Sequence, residues 1–391
     1  MSKETWLIEP HDSLIVRDGR PFNATAGSRA KSLDFPFPST LIGSVRTRIG
    51  LSKNNNNWQK FDDDLIDEIL KIEMFGALLA EIKDDDSLEF FAPTPADSLY
   101  IKPEIETDKN LFPLVPLSKD YLSNLNDNLD IELRLLVIEK DKDNPNKEVK
   151  GKPNSEVKFW HWCKFEKWLI KAESQKIESE KLGISGLVSD QRTHVKIDYE
   201  RKSNIDGGLF QTRGLEFVMK DKTSKDLKFK QLGLALQLSD SKGLDEGLFP
   251  LGGERRVVHW SKKDCEFPNC PQEVINGIKK SGHCRLILLT PAYFENGFLP
   301  DENKLGAKVK AVAVNRSQVI SGWDFAKRKP KPTRRLTPAG TVYFLEIEVK
   351  DKVEDFINQI WFKNIGDCKQ TKLDGFGLAV LGNWDGKYHE I

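Results

Sequence analysis

LDGFGLAVLGNW, residues 373–384, is the stretch on which the fold turns. Glycines 375, 377 and 382 suggest a nucleotide loop, but a dinucleotide fingerprint needs a strand before it and a helix after it. Here the order is reversed. DKVEDFINQIWF (351–362) carries its apolar residues at helical spacing, and the run after Gly377 reads as a strand. Upstream, HCRLILLTPAYF (283–294) reads as a strand entering a loop, and residues 308–314 and 341–349 read as two more strands. A strand, a crossing segment, two strands, a helix and a last strand make the β-α-β-β-α-β order of a ferredoxin-like unit.

The rest of the chain fits the same plan with large insertions. Residues 5–16 alternate as a strand, and a long Gly-, Ser-, Arg- and Pro-rich loop fills 17–38. Ser39 or Thr40 then caps a helix with Leu41, Ile42, Val45 and Ile49 on one face, flanked by Arg46 and Arg48. Helices are expected at 62–80 and 159–181, and strands at 88–92, 131–138 and 229–238. A chain of 391 residues exceeds what one hydrophobic core serves. The expected fold class is therefore α+β: two ferredoxin-like domains, 1–265 and 266–391, with large insertions. Those insertions include an exposed mobile loop at 139–158 and a hairpin at 186–219.

Hydrophobic content of 38% with 31% charged residues fits a globular chain. No run of about eighteen apolar residues exists, so no membrane helix is expected. MSKETWLIEP lacks the apolar core of a signal peptide, which points to the cytoplasm. The five cysteines, Cys163, Cys265, Cys270, Cys284 and Cys368, are odd in number and scattered, so no disulfide framework is expected. CEFPNC (265–270) with His283 and Cys284 could be drawn as a zinc site, but two adjacent ligands would strain a tetrahedron. Free thiols, no metal and no cofactor are the expectation.

Formal net charge is zero, which excludes a free-standing non-specific nucleic-acid binder. The distribution is uneven. Residues 61–110 hold fifteen acids and four bases, whereas residues 303–340 hold ten bases and one acid. Separated faces of this kind suit a polyanion on one side and a protein on the other; each block alone could equally be solvated surface.

Three motifs carry chemistry. LGGERR (251–256) joins two glycines that free the backbone to two arginines able to grip phosphate; a turn with Glu254 paired to one arginine is the alternative. WDFAKRKPKPTRRLTPAG (323–340) interleaves Trp323 and Phe325 with six Lys or Arg residues, a composition suited to single-stranded nucleic acid, in an extended loop. In DGFG the backbone N–H groups could bind phosphate, or the glycines could simply make a tight turn. His11-Asp12 lacks the partners of a metal hydrolase, and Asp84 to Asp86 lack a strand and turn to present them. No P-loop, G-x-S-x-G or H-E-x-x-H is present. His194 could act as a general base on RNA, but no catalytic partner is evident. No catalytic residue is expected.

Taken in order, RDGRPF (17–22), FPFPSTLIGSVRTRIG (35–50), THVKID (193–198), GGLFQTRGLEF (207–217), LGGERR, TPAYFENGFLP (290–300), SGWD (321–324), TPAGTVYFLE (337–346) and DGFGLAVLGNW resemble one family. It is the third-named, Cmr-type subunit of type III-B CRISPR effector complexes, in the RAMP superfamily. The resemblance spans residues 8 to about 384 and is poor over 51–185.

It implies two ferredoxin-like, RRM-related domains and a non-catalytic role in antiviral defence. It also implies partners: the 5′ tag of the guide crRNA, a large polymerase-like subunit, a backbone RAMP subunit and, indirectly, target RNA. Carried onto this sequence, Arg17, Arg20 and Phe22 would sit at the tag. Ser39, Thr40, Arg46 and Arg48 would lie near phosphates at the start of their helix. Thr193, His194 and Lys196 would lie on a thumb-like hairpin that kinks the RNA. Arg255, Arg256, Arg316, Trp323, Arg334, Arg335, Gly375, Phe376 and Gly377 would complete the surface. The acidic 61–110 block would meet protein. Relatives in the superfamily cleave repeat RNA without metal, so an endoribonuclease is the alternative.

Overall fold

A computed structural model describes residues 3–17, 32–54, 57, 61–102, 109–118, 133–139, 149, 151–221, 228–324, 329–348 and 352–390. Arg20, Phe22, Phe325 and most of the 139–158 insertion lie outside the described residues.

The first sheet runs, edge to edge, Gly247–Pro250, Val257–Lys263, Glu4–Pro10, Phe229–Leu238, Met74–Ile82, Leu88–Pro93, Phe159–His161 and Gly183–Ile184. Every neighbouring pair is antiparallel. Four of these strands, Val257–Lys263, Glu4–Pro10, Phe229–Leu238 and Met74–Ile82, stand in the fourth-first-third-second order of a ferredoxin-like unit. The helices Pro38–Lys53 and Asp63–Leu70 form its first crossover. The second crossover has no helix; residues 239–256 supply an edge strand and a single 3-10 turn, Gly253–Arg255.

Side-chain alternation gives this sheet two cores. Trp6 and Ile8 pack with Leu41, Ile42, Val45 and Ile49 of the long helix. Leu7, Phe75 and Leu78 face the other way and join Leu286, Tyr343, Phe356 and Val380 of the second half. Each such side chain, wholly withdrawn from water, contributes about 1.5–3 kcal/mol.

The second sheet runs Ala307–Ala313, Val342–Ile347, His283–Leu288, Leu378–Asn383 and Lys363–Asn364, again antiparallel. Its first four strands repeat the ferredoxin order. The crossing segment contains only a one-turn helix, Glu302–Leu305. Gln272–Ser281, which precedes the first strand, instead packs beside Val353–Ile360 on this sheet. A small sheet from the insertion, Leu136–Ile138, Leu111–Pro116, Ser98–Lys102 and Lys152–Pro153, lies along the outer strand. There the Arg134 N–H donates to the Lys310 carbonyl at 2.7 Å, so a lone sheet edge is covered.

Two buried ion pairs bolt the halves together. Arg285 meets Asp97 at 2.6 Å, with side chains 3% and 1% exposed. Asp97 also accepts from the Trp168 indole at 3.0 Å. Arg46 pairs with Asp374 and donates to the Ile72 carbonyl at 2.8 Å.

Several expectations need correction. The helix expected over 62–80 stops at Leu70, and Met74–Ile82 is a strand whose first eight residues are all buried. A central strand covered on both faces reads as an unbroken apolar run, which periodicity cannot separate from a buried helix. The helix expected over 159–181 is Trp162–Ile170. Phe37, not Ser39 or Thr40, caps the long helix, with Pro38 opening its first turn. The basic loop is a hairpin: Gln318–Ile320 pairs with Arg334–Leu336, and Trp323–Asp324 with Lys329–Pro330.

Candidate nucleic-acid interface

Beyond Pro10 the chain turns at His11, whose N–H donates to the Val257 carbonyl at 3.0 Å, and runs between LGGERR and the root of the long hairpin. The Gly253 N–H donates to the Ile15 carbonyl at 2.7 Å. Gly252 has φ +76°, and a Cβ there would stand 2.5 Å from the Ile15 oxygen, so this close approach requires glycine. Two non-glycine residues follow in the left-handed region, Glu254 (φ +58°) and Arg255 (φ +53°). Glu254 joins two guanidiniums, Arg17 at 3.6 Å and Arg256 at 3.2 Å. The Arg255 side chain is exposed and makes no ion pair among the described residues. The turn thus takes the form in which Glu254 pairs with one arginine of the motif, Arg256, while Arg255 makes no ion pair among the described residues.

The hairpin Val188–Asp198 with Ser203–Glu216 stands on this floor. Ser13 donates to Asp190 at 3.2 Å, Leu14 bridges Leu215, and Ser32 donates to the Arg213 carbonyl at 3.1 Å. Arg213 pairs with Asp34 at 2.7 Å. Further out, the His194 ring stacks on Phe210 with centroids 5.1 Å apart, and its Nε2 lies 2.8 Å from the Thr212 hydroxyl. Thr193 is on the opposite face by strand alternation, beside Gln211. Lys196 is exposed next to a break in register between Val195 and Ile197. Val195, Ile197, Leu209 and Tyr199 are exposed, Tyr199 by 90%.

A second group gathers where the halves meet. Phe37, Leu336 and Phe376 form a small buried cluster at the start of the long helix, with Tyr293 and Ile320 against it. Ser39 and Thr40 are half-buried in the first turn of that helix. Arg334 lies over the Tyr293 ring at 4.7 Å and donates to the Cys368 sulfur at 3.5 Å. Burial raises the Cys368 thiol, but the Thr371 backbone and then the Arg334 guanidinium outweigh it, leaving the thiol below its ordinary range. Arg316 and Arg335 are exposed. The Trp323 backbone pairs with Pro330.

The structure withdraws five expected contacts from this surface. Arg46 is 7% exposed and spent on Asp374. Arg48 is spent on the Gly247 and Glu246 carbonyls and on the Phe249 ring. Phe376 is 3% exposed. The three N–H groups of Gly375, Phe376 and Gly377 already donate to Lys372, Thr371 and Pro291 carbonyls, so none is free for phosphate. A Cβ at Gly377 would stand 1.8 Å from the Ile365 oxygen. The tight-turn alternative describes this loop.

Arg213 and Phe210 belong to the surface but escape a sequence reading. Both lie in GGLFQTRGLEF, and their significance depends on register: Phe210 stands directly across from His194. Part of the acidic block is consumed by pairing. Glu81 meets Lys83 and Lys230, Asp86 meets Lys263, and Asp97 meets Arg285. Among the described residues no three His, Cys, Asp or Glu side chains are arranged to hold a metal ion. Burial pushes the Cys270 thiol up to about 12.

Set beside known proteins, the chain matches one family profile, described as CRISPR-associated protein (Cas_Cmr3), over residues 6–384. No curated protein sequence matches it. Among solved structures it is similar to a chain of the type III-B Cmr-beta complex bound to cognate target RNA, at 14% identity and TM-score 0.50, covering 96% of each chain. A chain of the same complex with target RNA and AMPPnP matches at 16% identity and TM-score 0.46, covering 91% of this chain and 90% of that one. A chain of the Csm3-Csm4 subcomplex of a type III-A CRISPR-Cas interference complex matches at 12% identity and TM-score 0.31, covering 87% and 92%. The first of these bears on the fold, which agrees with the two ferredoxin-like strand orders above. With the profile matched over nearly its whole length, the chain belongs to the Cas_Cmr3 family of CRISPR-associated proteins, the Cmr-type RAMP subunits that its motif order resembles.

Proposed function

We propose that the chain is a non-catalytic subunit of a type III-B CRISPR effector complex. In this role it binds the 5′ repeat-derived tag of the guide crRNA and docks the large polymerase-like subunit onto a backbone RAMP subunit. One observation carries the reading. Arg17 meets the adjacent Arg255 and Arg256, far from it in sequence, on one floor, and the hairpin bearing Thr193, His194 and Lys196 rises from its edge. Guanidiniums at the floor suit phosphates, and the His194–Phe210 stack further out on the hairpin suits a splayed base. Arg213 joins the floor. Ser39, Thr40, Arg316, Trp323, Arg334 and Arg335 would add further contacts to the RNA.

The test is binding of guide RNA with and without the tag to the full chain. Changing Arg255 and Arg256 together to Glu should weaken tagged RNA at least tenfold more than untagged RNA. Equal loss for both makes them generic phosphate contacts. The endoribonuclease alternative has less support, because His194 faces a threonine hydroxyl and a phenyl ring and touches no carboxylate among the described residues. Site-specific cleavage of repeat RNA in EDTA, abolished by His194→Ala, would establish it.

A further inference from the structure

The Glu254 carboxylate lies between two guanidiniums and makes no other contact among the described residues. The Arg17, Glu254 and Arg256 side chains are 38%, 37% and 19% exposed, so the trio is reachable from solvent without unfolding. Carboxylate and phosphate present their oxygens to a guanidinium in the same forked geometry. Two arginines that share one carboxylate are therefore already spaced to share one phosphate. We propose that Glu254 is a placeholder: it holds Arg17 and Arg256 ready in the free protein and is displaced when a backbone phosphate of the bound RNA takes its position.

Three further observations fit this role. The Arg256 Nε is buried without a partner among the described residues, a donor that Glu254 leaves unused. Glu254 and Arg255 both sit at positive φ on a turn pinned by Gly253 to Ile15, so the carboxylate is held by a backbone conformation that side chains rarely adopt. Moreover, the ion pairs are solvent-exposed, and exposed pairs are weak enough for a polyanion to break. Arg255, unpaired at the same turn, makes the first contact, and the exchange at Glu254 follows. The free protein thereby avoids presenting three bare guanidiniums, which would hold any anion.

This inference rests on the RNA-tag reading, and the experiment separates the two. Tagged and untagged guide RNA are titrated against the full chain, with Glu254→Gln, Arg256→Ala, the double variant and Glu354→Gln, whose carboxylate pairs with Lys279 elsewhere on the surface. Melting curves confirm that each variant is folded. Glu254→Gln should tighten tagged RNA about three- to fivefold, Arg256→Ala should weaken it, and the double variant should bind no tighter than Arg256→Ala. Untagged RNA, which places no tag phosphate on this floor, should gain less from Glu254→Gln than tagged RNA does. If Glu254→Gln weakens binding as Arg256→Ala does, the carboxylate positions the arginines and the placeholder role is wrong, while the RNA reading stands. Equal tightening by Glu354→Gln reduces the effect to net charge and also overturns it. If the wild-type chain binds neither RNA, the functional reading fails and the placeholder with it.

Discussion

Asp97→Asn tests whether the two halves are bolted as described. The carboxylate is 1% exposed and accepts from Arg285 at 2.6 Å and from the Trp168 indole at 3.0 Å. Asparagine keeps the shape but removes the charge, and turns an amide N–H toward one of two donors. Arg285, 3% exposed, is left without its counter-charge and keeps the Trp168, Leu169 and Asn383 carbonyls. Removing one partner of a buried pair costs about 3–5 kcal/mol. Against a total stability of about 5–15 kcal/mol that is about a fifth or more. At about 2–4 °C per kcal/mol for large domains, the melting temperature should fall by about 10 °C. Calorimetry or near-ultraviolet circular dichroism reads this, and Arg285→Met combined with Asp97→Leu supplies the control. Replacing both partners by apolar residues should recover much of the loss. A melting temperature for Asp97→Asn within about 2 °C of wild type, where the argument predicts about 10 °C, would refute the buried pair.

Three other outcomes follow from the structure. Gly377→Ala should abolish soluble folded protein, because its Cβ would stand 1.8 Å from the Ile365 oxygen; recovery of wild-type yield would contradict the packed loop. Cys368 should alkylate faster than Cys270 at pH 7.5 by mass spectrometry, since its thiol lies below the ordinary range whereas Cys270 is pushed up to about 12. Lys3 is lowered from 10.5 to about 8, first by burial and then by Lys363. Between about pH 8 and 10.5 the unfolded chain therefore binds a proton that the folded chain does not, and stability from this group rises with pH. Denaturant titrations of Lys3→Met should lose that rise; an unchanged profile would remove Lys3 as its source.

The second ferredoxin-like unit was legible because each of its elements announces itself locally. The first was legible only in outline, since residues 83–228 separate its second and third strands. Arg46 shows why the site was harder. It lies four residues after Ile42 and three before Ile49, on the buried stripe, so its spacing announces a side chain in need of a buried partner. That partner, Asp374, is 328 residues away and carries no local mark. Likewise the glycines of DGFG fit either a phosphate nest or a tight turn until the acceptors of their N–H groups are known. The convergence of Arg17 with Glu254 depends on the order of strands in the sheet, which no motif encodes.

The strand Glu4–Pro10 pairs with Phe229–Leu238 and Val257–Lys263 and with no strand in between. During translation its partners emerge about 220 residues later, which at about 5–20 residues per second is roughly 10–45 s. Throughout that interval Trp6, Leu7 and Ile8, all buried at the end, sit on an unpaired strand near the ribosome. The order of strands that brings Arg17 to its place thus leaves three apolar side chains of Glu4–Pro10 uncovered for the whole interval, a segment that a chaperone could bind.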